Sequence, residues 1–190
     1  MILVWPAMMN EQAPNPYMRK QGFIRAFSPG PRLMRWMFNI WPPFLGMGIH
    51  VTEIAPDFRR VKVRLRMGVL NRNYVGTHFG GSLFAMTDPY YMIMMSHNLG
   101  HDYIVWDKAA AIRFRAPGKG TVKAEFEVTQ AMVDVAIAAT ATGGRFEPTY
   151  LVQVKDSAGK LVAEVEKTLH IRRVDAARRP ASIPTAKAAE

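Results

Sequence analysis

Asn73–Leu99 reads NYVGTHFGGSLFAMTDPYYMIMMSHNL. The stretch opens on a polar turn marked by Asn73, Gly76, Thr77, His78, Gly80 and Gly81. About five helical turns of residues follow, apolar on nearly every side: Leu83, Phe84, Ala85, Met86, Met92, Ile93, Met94 and Met95. A helix that is apolar all round must be wrapped by other structure. Within the run stands one carboxylate, Asp88. A charge there is costly unless it is paired, solvated by a cleft, or used.

The rest of the chain supplies the wrapping. Arg60–Met67 alternates Val61, Val63, Leu65 and Met67 with Arg60, Lys62, Arg64 and Arg66, the pattern of a strand with one buried face. Gly48–Ile54 precedes it across the turn Ala55-Pro56-Asp57, so the two form a hairpin. Beyond the central helix, strands are expected at Tyr103–Arg115 (long or bent), Thr121–Thr129, Tyr150–Val154 and Leu161–Ile171. In the last of these Leu161, Ala163, Val165, Leu169 and Ile171 share a face. Gln130–Thr142 breaks the alternation. It is alanine-rich, Thr129 can cap its start and Gly143-Gly144 can end it, so it reads as an inserted helix.

Ahead of the strands, Pro31–Trp41 places Leu33, Trp36, Met37 and Ile40 at helical spacing, and Pro42-Pro43 stops it. Its leading reading is a helix packed over the edge of the core. A basic, aromatic membrane-surface helix and a lid over an acyl pocket are the alternatives. Tyr17–Phe27 reads as a shorter helix. The division expected is a flexible arm at 1–16, a helical extension at 17–44, the main domain at 45–174 and a frayed tail at 175–190.

Composition narrows the class of function. A chain of 190 residues that is 49% hydrophobic suits one domain. The net charge of +10 favours anionic partners such as CoA phosphates, acidic carrier proteins, a membrane surface or nucleic acid. With 0 cysteines there are no disulfides, thiolate metal sites or cysteine nucleophiles. Asp88, Pro89, Ser96, His97 and Asn98 interrupt the central run, so it does not read as a membrane span, and the N-terminus does not read as a signal peptide. A cytoplasmic location is expected. The basic residues are scattered rather than interleaved with aromatics, which argues against a nucleic-acid binder.

WPPFLGMGIHV, the Asn-Arg-Asn of residues 71–73, and GTHFGGSLFAMTDP together resemble a hotdog-fold thioesterase, and more narrowly the DUF4442 family, over roughly residues 30–173. The resemblance implies an α+β hotdog fold: a curled antiparallel sheet around one long central helix, with an N-terminal helical extension and a helical insert. Against the phenylacetyl-CoA-type thioesterases, Asn73 falls at the family's Asn, Gly80 and Gly81 at its two glycines, and Asp88 at its acid. The family's His position holds Phe79, and His78 stands one place early.

By that resemblance the Gly80 and Gly81 amides polarise a thioester carbonyl. Asp88 from the partner subunit is general base or nucleophile, and Asn73 orients water or substrate. Thr77, His78 and Phe79 line the substrate site, while Arg113, Arg115 and Lys119 meet CoA phosphates or a carrier's acidic surface. The implied function is hydrolysis of an acyl-CoA or acyl-carrier thioester in a homodimer or dimer of dimers, with no cofactor and no metal.

Other readings stay open. Asp88-Pro89 is also how a helix restarts, with Asp as N-cap. His78 and Thr77 can simply hold the turn, and Met86, Met92, Met94 and Met95 are core residues that could also line an acyl pocket. Arg113, Arg115, Lys119 and Lys123 suit an exposed strand face equally well. His97 and His101, at i and i+4, could pair on a metal or sit as cations at a helix end. A hotdog protein that binds acyl chains or acyl-CoA without turnover is the alternative function. A hydratase would need a facing histidine and acid, for which only His78 and Asp88 are at hand.

Overall fold

The computed structural model describes residues 2–4 and 29–174. Its strands are β1 (Ile2–Val4), β2 (Ile49–Ile54), β3 (Arg60–Arg66), β4 (Tyr103–Phe114), β5 (Thr121–Glu127), β6 (Arg145–Phe146), β7 (Thr149–Asp156) and β8 (Leu161–Arg173). Its helices are α1 (Pro31–Ile40), α2 (Pro42–Met47), α3 (Gly80–Ala85), α4 (Tyr90–Leu99) and α5 (Gln130–Thr140). One antiparallel sheet runs β1-β4-β8-β7-β5-β3-β2, with β6 pairing β8 off this path. It curls around α3 and α4, which is the hotdog arrangement expected above.

The core lies between the sheet's inner face and these two helices. Val51, Val63, Leu65, Val122, Ala124, Phe126, Val154, Val165 and Leu169 meet Leu83, Met86, Tyr90, Met94 and Met95. Met86, Met94 and Met95 are fully buried there, so in the single chain they fill space rather than line a pocket. α5 is capped as expected, Thr129 Oγ1 accepting from Met132 N at 3.3 Å.

The long central helix comes in two segments, and Pro89 is the cause. It has no N–H to give back to Ala85, and its ring crowds that carbonyl. The Ala85 carbonyl instead accepts from Asp88 N at 3.2 Å, and Thr87 Oγ1 closes the turn on Phe84 O at 2.7 Å. α4 then restarts, with Ile93 N donating to Pro89 O.

A β-bulge in β4 bears on the site. Asp107 pairs with Leu169 and Ala109 with Thr168, leaving Lys108 as the extra residue. An extra residue reverses the alternation of side chains beyond it. The face that holds Tyr103 and Val105 therefore continues through Asp107 and resumes at Ala110, Ile112 and Phe114.

The N-terminal region departs from expectation in three ways. Ile2–Val4, assigned to a flexible arm, pair with Ala109–Ala111 along the edge of β4. Pro42 and Pro43 stop α1 but also open α2, because proline suits a first helical turn. Most telling, α1 turns its apolar stripe outward. The helix holds β2 through Asn39, which exchanges two hydrogen bonds with the Val51 backbone at 2.8 and 3.0 Å. Arg35 donates to Thr52 O at 3.0 Å, and Phe38 stacks on Phe44. Leu33, Trp36, Met37 and Ile40 are left exposed rather than packed on the core. The helix expected at Tyr17–Phe27 and the tail at 175–190 lie outside the described residues.

Candidate active site

The polar turn ahead of α3 is held by its own side chains. Asn73 Nδ2 donates to Thr77 Oγ1 at 2.8 Å and to His78 O at 3.2 Å, while its Oδ1 accepts from Thr77 N at 2.9 Å. Asn73 and Thr77 therefore shape the loop. Asn71 anchors its base: it is buried, its Oδ1 accepts from Gly68 N at 2.7 Å, and its Nδ2 donates to Arg66 O at 2.8 Å.

His78 turns into the protein. Its Nε2 lies 3.1 Å from Gly120 O, and burial holds the imidazole below the ordinary histidine range despite that contact. It faces the 118–120 loop and not Asp88, so a hydratase-like His–acid pair is not formed within the chain.

At the amino end of α3 the N–H groups of Gly80 and Gly81 find no acceptor among the described residues, whereas the Ser82 and Leu83 amides already donate to Phe79 O. First-turn amides of this kind are free to meet an acceptor. Two aromatic rings close over them. Phe79, 53% exposed, folds over Gly81, and Phe114, 56% exposed, stands against Gly80, where a Cβ would come within 2.9 Å of its Cζ. Val69, Leu70, Tyr74 and Val75 in the preceding loop are also exposed. Open apolar surface of this extent marks a contact surface.

Asp88 sits at the break between α3 and α4. It does not cap α4, whose N-cap is Pro89. Its carboxylate Oδ1 accepts from Lys167 Nζ at 2.7 Å, and the Asp88 side chain stays 54% exposed. Lys167 is only 2% exposed, and its Nζ also lies 3.0 Å from Asp107 Oδ1. Burial pulls the ammonium toward neutrality, but Asp107 and Asp88 outweigh this and raise its pKa overall. Burial likewise pushes Asp107 upward, against the pull of Lys167, and Asp88 adds to the rise.

Neither Lys167 nor Asp107 stands out by motif, but Lys167 carries a readable signal. It occupies the inward parity of Leu161, Ala163, Val165, Leu169 and Ile171, where a lysine needs a counter-charge. Asp107 carried no such signal, because the bulge that lets it share a face with Ile112 and Phe114 leaves no mark in the sequence.

The structure thus gathers Asn73, Thr77, Phe79, Gly80 and Gly81 at one end of α3 and sets Asp88 eight residues on. Eight residues of continuous helix rise about 12 Å, and here the helix breaks between the two groups. Arg113 and Arg115 flank Phe114 in sequence but project to the opposite face of β4. There they pair with Glu166 and Glu164 of β8, Arg115 Nε at 2.7 Å from Glu164 Oε2. Lys119 forms no ion pair among the described residues.

His97 stacks on Phe58 with ring centroids 3.6 Å apart, and no group of three or more metal-ligating side chains occurs among the described residues. Two shallow grooves, of about 230 Å³ beside Met132 and Tyr150 and about 200 Å³ beside Met67 and Arg72, do not reach Asp88. No helix among the described residues is long and apolar enough to cross a membrane.

Known structures share this architecture at low identity. PA5026 from Pseudomonas aeruginosa, a protein of unknown function described as a probable thioesterase, superposes with a TM-score of 0.65 at 22% identity. The match covers 75% of this chain and 95% of that one. Thioesterase HI1161 from Haemophilus influenzae gives 0.57 at 13% identity over 77% and 93% of the two chains. The E. coli PaaI protein, from the phenylacetic acid degradation operon, gives 0.53 at 17% identity over 76% and 92%. No curated protein matches the sequence. The family model described as a domain of unknown function, DUF4442, matches residues 30–171, well over half of the sequence, and the chain therefore belongs to the DUF4442 family.

Proposed function

We propose that this protein is a thioester hydrolase acting on acyl-CoA or acyl-carrier substrates in the cytoplasm, at a site completed by a second copy of the chain. The observation that carries the reading is the state of Asp88. It is neither plugged into the core nor used as a helix cap, but held by Lys167 with more than half its side chain open. A carboxylate so placed can take a proton from water.

The second copy is argued from distance and from surface. The free amides and the carboxylate of one chain are separated by eight residues and a helix break, where a continuous helix would rise about 12 Å. The apolar side chains around Gly80 and Gly81 are uncovered in a single chain. A partner that lays its Asp88 against this end brings both groups to one thioester. A homodimer suffices, and a dimer of dimers repeats the arrangement.

In the reaction, the carbonyl oxygen of the thioester accepts from the Gly80 and Gly81 amides, which stabilise the charge that develops on it. Water adds through its oxygen to the carbonyl carbon while Asp88 takes its proton. The tetrahedral species collapses, the C–S bond breaks, and the sulfur leaves with the pair of electrons. Return of the proton from Asp88 yields the free thiol and the carboxylic acid, and the carboxylate is restored. Asn73 contributes by fixing the loop, since its own polar atoms are engaged there. Thr77 and His78 support the same turn. Phe79 and Phe114 supply apolar contact for the acyl group. Lys119 is the remaining free cation of the three assigned to phosphates or an acidic carrier, since Arg113 and Arg115 are paired.

A second reading, a binder of acyl-CoA without turnover, is favoured by Phe79 folding over Gly81, which narrows access to the amides. Release of free CoA from acyl-CoAs of graded chain length, with Asp88→Asn in parallel, separates the two. Turnover that Asp88→Asn abolishes in a folded protein supports hydrolysis. Tight binding with no turnover supports the binder.

A further inference from the structure

We propose that Lys167 is the positioning residue for Asp88, fixing one carboxylate oxygen so that the other faces the reacting water. The inference rests on the reading of Asp88 as the base.

The argument begins with where this lysine lies. β8 points Ala163, Val165, Leu169 and Ile171 into the core, and Lys167 shares their face. It stands opposite Ala110 on β4 and Tyr150 on β7. The methyl group of Ala110 leaves the four-carbon stem room to run beneath the helix break. A buried ammonium is expensive, and well-packed apolar residues usually stabilise a core at least as well as a buried ion pair. Stability therefore gives no reason to prefer a lysine here.

The asymmetry of the pair points to a reason. A structural salt bridge buried for stability encloses both partners. Here the ammonium is 2% exposed while the Asp88 side chain is 54% exposed. The fixed charge lies on the inner side and the carboxylate opens outward. With Oδ1 held at 2.7 Å by Nζ, the oxygen left for a water is Oδ2. Rotation about the side-chain bonds of Asp88 breaks this charge-assisted bond, so one rotamer is selected. Asp107 serves the same end from β4. Its Oδ1, 3.0 Å from Nζ, compensates the ammonium from the buried side, so Lys167 stays charged when Asp88 takes up a proton. The other titratable groups packed about this cluster are Tyr90 and Tyr150. Burial raises both phenols, Tyr90 with help from Asp88 and Tyr150 to about 12 with help from Tyr91, so both stay neutral at working pH.

The test compares steady-state hydrolysis of an acyl-CoA by the full chain and by Asp88→Asn, Asp107→Asn, Lys167→Met and Lys167→Met/Asp107→Asn. The double variant avoids leaving a buried carboxylate with no counter-ion, and thermal melting establishes that each variant is folded. In the double variant kcat is expected to fall about tenfold to a hundredfold, the scale of a misplaced catalytic group, with KM within about twofold. Asp107→Asn alone is expected to lower kcat by less than the double variant does, since Lys167 still holds Asp88. A folded double variant with wild-type kcat overturns the role of Lys167 while leaving the enzymatic reading intact. An Asp88→Asn variant that turns over normally, or a wild type with no turnover, overturns that reading and Lys167 with it.

Discussion

The ring of Phe79 lies over Gly81 so closely that a Cβ at that glycine would have Phe79 Cζ within 2.7 Å. The conflict is with the far end of an exposed side chain, which can swing outward at little cost. Gly81→Ala is therefore expected to leave stability unchanged or raise it by up to about 1 kcal/mol, since alanine is the better helix former. The displaced ring and the new methyl group crowd the Gly80 and Gly81 amides. Thioester turnover, or acyl-CoA affinity if the protein only binds, is expected to fall at the same time. Thermal melting and CoA release measured on one preparation check both halves. A marked loss of stability would mean that the ring is fixed in place.

Gly48 gives the opposite outcome. It ends α2 with φ at 72°, and a Cβ there would lie 2.7 Å from Arg66 O and 2.7 Å from Asn71 Nδ2. Both conflicts involve buried, hydrogen-bonded groups that cannot swing away. Gly48→Ala is expected to cost about 2 kcal/mol, combining the left-handed backbone with disruption at Asn71. A urea melt should show a lower midpoint with an unchanged slope.

These two glycines also show what was legible beforehand. The strands of alternating Val and Arg, the glycine-marked turn and the apolar run after it were readable because period-two and all-round apolar patterns have few folded solutions. The orientation of α1 was not readable. An apolar stripe at helical spacing indicates a helix, but the two side-chain bonds of Asn39 to Val51 decide which side meets the sheet. The partner of Asp88 was hidden for a related reason. A bulge at Lys108 puts Asp107 on the same face as Ala110 and Ile112, and β8 brings Lys167 from 79 residues away. Local pattern carries no record of the bulge. The inward parity of Lys167 was the one visible trace.

Acid should weaken the fold through its histidines. Burial lowers the pKa of His78 and of His97, the latter aided by His101, below the ordinary 6.5. A group whose folded pKa is depressed contributes stability that is fully present above its unfolded value and lost as pH falls through the folded one. Stability is expected to hold from pH 8 to about 7 and to decline below 6.5 as the unfolded chain takes up protons that the folded chain resists. Melts between pH 8 and 5 test this. His78→Gln, which removes one titrating group, should flatten the decline even if the variant starts less stable. An unchanged slope would assign the acid response elsewhere.

Across the outer face of the sheet, His50, Arg64, Lys123 and Lys155 stand in register on β2, β3, β5 and β7. Like charges directly opposite one another on neighbouring strands are destabilising, and none of Arg64, Lys123 and Lys155 forms an ion pair among the described residues. Lys123 lies at the centre of the row, so Lys123→Glu turns two repulsions into two attractions. The melting temperature is expected to rise by about 2 to 4 °C at low salt. The gain should shrink as added salt screens these exposed charges. Both parts are needed: a rise that survives 1 M salt, roughly a 3 Å screening length, would reflect packing rather than charge. No rise at any salt would mean that solvent already screens the row, despite the strand register that aligns it.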